Sequence, residues 1–206
     1  ASRKQDKCEE LACELRATFG RQVTALRCDV AKEEDVVATV AETVARHGRL
    51  DVLVNNAGTS YWGLPEEIPL KGWQKVMDVN LTGTFLACRE AAKVMFAHGG
   101  GSIVNVASVG AYLSYRPSAG QVVPYTTSKA AIVHLTQDLA AQWAERGVRV
   151  NALAPGQVES GMTYTLDDAT RQGVQESILL NRIGRPLEMT AVLATLASDA
   201  GSFITG

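Results

Sequence analysis

Two kinds of apolar pattern alternate along this chain: stretches with apolar residues three and four apart, and short runs that are continuously apolar or strictly alternating. The first marks one face of a helix and the second a strand. Leu11 and Leu15 share one face of a predicted helix over Lys4–Phe19, closed by Gly20, a residue that suits the position after a helix end. Val23–Cys28 alternates and reads as a strand. Acidic Glu33, Glu34 and Asp35 open the next helix, where negative charge complements the amino-terminal dipole. Val36, Val37, Val40 and Val44 form its apolar face, and His47-Gly48 ends it. Asp51–Asn55 is a short, nearly continuous apolar run, of the kind buried on both faces of a parallel sheet.

The alternation then repeats, with a helix over Lys71–Ala97, a glycine stop at Gly99–Gly101 and a strand over Ser102–Ala107. A helix over Tyr125–Arg146 is followed by Gly147 and a strand over Val148–Leu153. Strands alternating with helices through short turns predict βαβ units, hence an α/β, doubly wound parallel sheet with helices on both faces, in one domain over residues 1–206. Ala1-Ser2-Arg3 reads as the end of a strand running into a helix. In the doubly wound order 3-2-1-4-5-6 the first strand lies mid-sheet, so a chain without it holds its sheet in two pieces. The expectation is a longer natural protein, preceded by one βα unit plus a strand of about 30 residues or more and followed by a last strand.

With 206 residues, 46% hydrophobic and 20% charged, the chain can bury one core. A net charge of -2 gives no broad attraction for nucleic acid or an anionic membrane, so the expected partner is a small molecule. No apolar stretch approaches the roughly 20 residues that cross a bilayer, and the amino end does not read as a signal peptide. A cytoplasmic protein is expected. Cys8, Cys13, Cys28 and Cys88 lack CxxC spacing and read as free thiols, and His47, His98 and His134 are scattered, so no metal site is assigned.

Tyr125 and Lys129 stand four apart and share one face of the helix they begin. A tyrosine with a pKa near 10 is a poor proton donor or acceptor at neutral pH, and a neighbouring ammonium favours its phenolate, so the pair makes a tuned acid and base. Ser108 follows the strand Ile103-Val104-Asn105-Val106, where a parallel strand delivers its carboxyl end to the ligand crevice. It is either a donor to a substrate carbonyl or an ordinary loop serine. Asn55-Asn56-Ala57-Gly58 follows the run Val52-Leu53-Val54, and its small residues allow a flat ligand to approach the backbone, or simply make a tight turn.

Asp29-Val30, Asn55-Asn56-Ala57-Gly58, Asn80 in Val-Asn-Leu-Thr-Gly, Ser108, Tyr125 with Lys129, and Pro155-Gly156 stand in the order seen in short-chain dehydrogenase/reductases. The chain resembles that family over essentially its whole length, and most resembles its gluconate 5-dehydrogenase-like and 3-oxoacyl-carrier-protein reductase branches. The resemblance implies a Rossmann fold and an NAD(P)-dependent oxidoreductase interconverting a secondary alcohol and a ketone. It gives Tyr125 the proton transfer, Ser108 the substrate oxygen, Lys129 the nicotinamide ribose and the tuning of Tyr125, and Asn80 a water-linked proton path to Lys129. It puts Asp29 and Val30 beside the adenine, Asn56, Ala57 and Gly58 along the cofactor, Pro155, Gly156 and Val158 near the nicotinamide, and Ser160 where a threonine often contacts carboxamide or diphosphate. The family's glycine-rich phosphate loop is absent from these residues, which as written should bind cofactor poorly. Ser2 and Arg3 stand where cofactor preference is set, and with no acid there a guanidinium can hold the 2'-phosphate, so NADP is expected over NAD.

The stretch between Ser108 and Tyr125 is a few residues longer than the family commonly uses. Tyr112, Tyr115, Arg116 and Gln121 there either contact a hydroxylated or anionic substrate or face solvent. Residues 159–185 are expected to form a helical substrate lid with Met162, Tyr164 and Leu166 toward the pocket. Trp62 and Trp73 line the cleft or pack as core or rim. The rival readings are a 3-oxoacyl-carrier-protein reductase and a catalytically inactive binding or assembly module. A homodimer or homotetramer built through the helices from Lys71 and from Tyr125 is expected, with outward alanines and Trp143 as contacts or as helix-sheet packing.

Overall fold

The computed structural model describes residues 1–115, 121–160 and 168–206. In chain order the principal elements are α1 (Gln5–Phe19), α2 (Glu33–His47), β1 (Val52–Asn55), α3 (Leu70–Met77), α4 (Gly83–Ala97), β2 (Gly101–Val106), α5 (Val123–Trp143), β3 (Val148–Leu153), α6 (Asp168–Glu176) and α7 (Thr190–Ala197). The three strands form a parallel sheet in the order β1-β2-β3, with Leu53 beside Ile103 and Ile103 beside Val150. Side chains alternate across a strand, so Ile103, Val148 and Val150 share one face. Against that face pack Cys88, Ala91 and Met95 of α4 with Leu139 and Ala140 of α5. The Phe96 and Trp143 rings close this core edge to face, centroids 5.9 Å apart, which accounts for Trp143 by packing. The other face is met by α7, where the buried Ser102 hydroxyl donates to the Leu196 carbonyl at 2.7 Å. Helices on both faces of a parallel sheet make this the α/β Rossmann arrangement.

Three features depart from the pattern-based expectations. Val23–Cys28 is not a strand: only Arg27 bridges in parallel to Ser2, through Ser2 N–H to Leu26 O and Cys28 N–H to Ser2 O. Among the described residues this bridge and the three-stranded sheet are separate pieces of parallel pairing. β1 is not buried on both faces: Val52 and Val54 remain 36% and 39% exposed. The helix expected over Lys71–Ala97 is interrupted by a π-turn at Asp78–Thr82. Gly83 ends that turn in close contact with Val30, since an added methyl group would sit 2.8 Å from Val30 O. Smaller shifts follow local chemistry: α5 begins at Val123 with Pro124 in its first turn, where a missing N–H costs nothing.

Candidate functional site

The carboxyl ends of β1, β2 and β3 meet the first turns of α5 and the π-turn before α4. Ala107 N–H donates to Leu153 O at 2.7 Å and Val109 N–H to Pro155 O at 3.0 Å, so the exits of β2 and β3 are locked side by side. Ser108, extended between them, caps the short turn Val109–Ala111 by accepting from Gly110 N–H at 3.1 Å. Its hydroxyl proton remains available to donate.

Lys129 is 4% exposed and donates from Nζ to Val106 O at 2.6 Å. Its ammonium lies 5.7 Å from the Tyr125 ring centroid. Burial pulls the lysine down to about 8, because the charged form loses water without gaining an opposite charge. One of three donors is used on Val106. A methyl group added at Gly58 would stand 3.7 Å from Lys129 Nζ and 3.6 Å from Asn80 Oδ1, so these two polar atoms meet at the loop that leaves β1.

Asn80 is fully buried within the π-turn. Its Oδ1 accepts from Thr59 N–H at 2.8 Å, and its Nδ2 donates to Thr59 O and to Ser128 Oγ, each at 2.9 Å. Ser128 Oγ in turn donates to Tyr125 O at 2.7 Å. The carboxamide therefore clamps the loop after β1 to the turn that carries Tyr125 and Lys129. A π-turn suits this task, since one extra residue in the helix re-aims a side chain that a regular turn would point elsewhere. Ser128 was not singled out from the sequence; its signal is the hydroxyl immediately before Lys129 in Tyr-Thr-Thr-Ser-Lys. A second buried network links the strands behind the site. Asn55 donates to Asn105 Oδ1 at 2.9 Å and to Cys88 Sγ at 3.2 Å, and Asn105 donates to Thr136 Oγ1 at 3.0 Å. Burial pushes the Cys88 thiol up to about 12.

The residues expected on the cofactor side are spread along the same rim. Asn56 and Ala57 are exposed beside Gly58. Gly156, also exposed, follows Pro155 and would accept a methyl group without meeting any atom within 4 Å. Val158 bridges to Gly184, pinning together the two ends of the expected lid, and Ser160 is exposed. Asp29 accepts from Ala31 N–H at 3.2 Å, and Val30 packs on Gly83. Ser2 Oγ accepts from Lys4 N–H at 3.0 Å, while Arg3 is exposed beside it. Met162, Tyr164, Leu166 and Arg116 lie outside the described residues. Tyr112 is 68% exposed, Tyr115 is half-buried, and Gln121 accepts through its carbonyl from Gly63 N–H at 3.0 Å. Trp62 is 59% exposed and Trp73 half-buried.

A family model described as Enoyl-(Acyl carrier protein) reductase matches residues 1–206. Dehydrogenase/reductase SDR family member 4 of Bos taurus is 38% identical over 209 residues, which cover 100% of this chain and 73% of the relative. The chain belongs to the short-chain dehydrogenase/reductase family. It is an oxidoreductase of that family, similar also to 3-oxoacyl-(acyl-carrier-protein) reductase FabG of Aquifex aeolicus, at 35% identity over 98% of this chain and 79% of the relative. A crystal structure of a gluconate 5-dehydrogenase from Burkholderia cenocepacia, in complex with NADP and tartrate, aligns with a TM-score of 0.91 at 32% identity, covering 98% of this chain and 78% of that one. Among the described residues of this short-chain dehydrogenase/reductase, no helix is long and apolar enough to cross a membrane.

Proposed function

We propose that the protein is an NAD(P)-dependent dehydrogenase/reductase that interconverts a secondary alcohol and a ketone, with Tyr125 as general acid and base. The observation that carries this reading is Lys129, a nearly buried ammonium with two donors to spare, set between the Tyr125 ring and the small residues Asn56-Ala57-Gly58. A buried ammonium left with unspent donors is costly unless a ligand takes them up, and ribose hydroxyls beside an exposed small-residue loop suit it. Bound nicotinamide would supply or accept the hydride. The Ser108 hydroxyl donates to the substrate oxygen, and the Tyr125 phenol gives its proton to that oxygen in reduction and takes it back in oxidation. Lys129 holds the ribose hydroxyls, with its ammonium 5.7 Å from the Tyr125 ring centroid. Asn80 holds a water-linked proton path toward Lys129 and fixes the turn on which both groups stand. Asp29 and Val30 flank the adenine, and Pro155, Gly156, Val158 and Ser160 line the nicotinamide side.

NADP is the preferred cofactor in this reading. Arg3 is exposed and Ser2 lies beside it, a pair suited to a 2'-phosphate, and the gluconate 5-dehydrogenase of similar fold was solved with NADP. The similarity to FabG supports one second reading, reduction of 3-oxoacyl groups on a carrier. The test is NADPH oxidation by the full-length protein with simple ketones, keto sugar acids, 3-oxoacyl thioesters and enoyl thioesters. Turnover of ketones or keto acids, lost on Tyr125→Phe by about 10²-fold or more, is expected. Turnover confined to 3-oxoacyl thioesters establishes the second reading, and turnover unchanged in Tyr125→Phe overturns both. A higher kcat/KM with NADH than with NADPH refutes the cofactor preference.

A further inference from the structure

Gly110 is buried, and three groups crowd the point where a side chain would begin. A methyl group there would sit 3.4 Å from Ser108 Oγ, 3.5 Å from the Tyr115 hydroxyl oxygen and 3.3 Å from Thr126 Cγ2. The hydroxyls of Ser108 and Tyr115 thus flank the same glycine and are no more than about 7 Å apart, within the span of two hydrogen bonds of about 2.8 Å and a short ligand between them. The Tyr115 hydroxyl makes no hydrogen bond among the described residues. Partial burial, with the neighbouring Tyr125 adding like charge, holds its phenol above the ordinary value. At neutral pH it is therefore an intact O–H that can donate and accept, while Tyr125 is the phenol that has Lys129 beside it.

We propose that Tyr115 is a specificity-determining residue that hydrogen-bonds a second substrate oxygen, on the carbon next to the reacting one, so that the enzyme prefers 2-hydroxyketones and vicinal diols to plain ketones and alcohols. This rests on the reading above, in which Ser108 and Tyr125 hold the reacting oxygen. With that oxygen on Ser108, the short span to Tyr115 is closed by an oxygen on the adjacent carbon, and one farther along would have to fold back. A plain ketone would cover the Tyr115 hydroxyl without replacing the water it displaces, and a polar group left unpaired is what makes such a site discriminate.

The experiment compares kcat/KM with NADPH for 3-hydroxy-2-butanone and 3-methyl-2-butanone, in which a methyl group replaces the hydroxyl, on the full-length protein and on Tyr115→Phe. The wild-type enzyme is expected to favour the hydroxyketone by about tenfold or more. Tyr115→Phe is expected to lose that preference through the hydroxyketone alone, with the plain ketone changed by less than about threefold. Replacing the hydroxyl in the substrate and replacing it in the enzyme should remove the same factor, which a misfolded variant would not reproduce. Equal losses on both ketones, no loss on either, or a wild-type enzyme that turns over both without preference overturns the role of Tyr115 alone. A wild-type enzyme that turns over no carbonyl compound overturns this inference together with the reading on which it rests.

Discussion

Lys129→Met removes a charge that the fold holds in its interior beside the site, and the structure predicts that stability and activity then move in opposite directions. The lysine falls from 10.5 to about 8 through burial. At about 1.4 kcal/mol per pKa unit, keeping it charged costs the folded state roughly 3 kcal/mol at pH 7. Its charged hydrogen bond to Val106 O returns about 1.5 to 3 kcal/mol, and methionine, of similar length, fills the space without that bond. The net change at neutral pH is therefore small, between about zero and 2 kcal/mol in favour of methionine. The pH dependence is the sharper quantity. Below about 8 the folded and unfolded chains are both protonated at this position, and the penalty is constant. Between about 8 and 10.5 the folded chain has released the proton and the unfolded chain still holds it, so the wild-type protein gains stability as pH rises, by about 1.4 kcal/mol per unit.

Urea unfolding of both proteins across this interval measures the difference directly, and groups that titrate identically in both cancel. The advantage of the methionine variant should shrink, or reverse, by about 3 kcal/mol from pH 8 to pH 10.5. Its KM for NADPH should rise steeply throughout, because the donors proposed to hold the ribose are gone. A stability difference that stays flat over the interval, or that moves in favour of methionine as pH rises, would refute the assignment of Lys129 as a desolvated ammonium.

Gly83→Ala should destabilise the fold by about 1 to 3 kcal/mol in urea unfolding, because the new methyl group meets the backbone carbonyl of Val30 at 2.8 Å. Gly72→Ala, whose methyl group would first meet the Tyr61 ring at 2.7 Å, should cost less than half as much, since a side chain can turn away and a carbonyl cannot. Ser128→Ala leaves one Asn80 donor unpaired in a buried place and should lower both stability, by about 1 to 2 kcal/mol, and kcat, with Ser128→Thr recovering part of each. Timed alkylation of the native protein at pH 8 should label exposed Cys13 well before Cys88, which is buried and held up to about 12; equal rates would show that the network behind the sheet is open.

Helices α1, α2, α4 and α5 and the three strands were legible because each is an amphipathic or apolar run whose period survives in the sequence, and β3 matches its expected limits from Val148 to Leu153; α7 was not expected. The candidates Tyr125 and Lys129 stood out by their spacing and Asn80 only through the family resemblance, and the structure brings their surroundings together at Gly58 and Ser128. What the pattern did not carry are features set by neighbours. Val23–Cys28 has strand composition, but pairing depends on what lies beside it, and Ser2 alone bridges there. Ser128 looks like any helix hydroxyl until Asn80 is seen against it.

The π-turn shows why such features escape a linear reading. Lys71–Ala97 has a continuous helical period with no proline to interrupt it, yet two contacts in one turn pull in different directions. Asn80 turns toward Thr59 and Ser128, on the side of the proposed proton path, while Gly83 is pressed against Val30, on the side proposed for the adenine. The extra residue in the turn satisfies both, and the Thr84 hydroxyl holds it by donating to Asn80 O at 2.7 Å. A substitution at Gly83 that shifts this turn should therefore be felt at Asn80, and through Ser128 at the turn carrying Tyr125, so that a change on the cofactor side alters proton transfer without touching any catalytic residue. If kcat in Gly83→Ala were unchanged while cofactor KM rose, the two sides would be independent and the turn would be merely a packing accommodation.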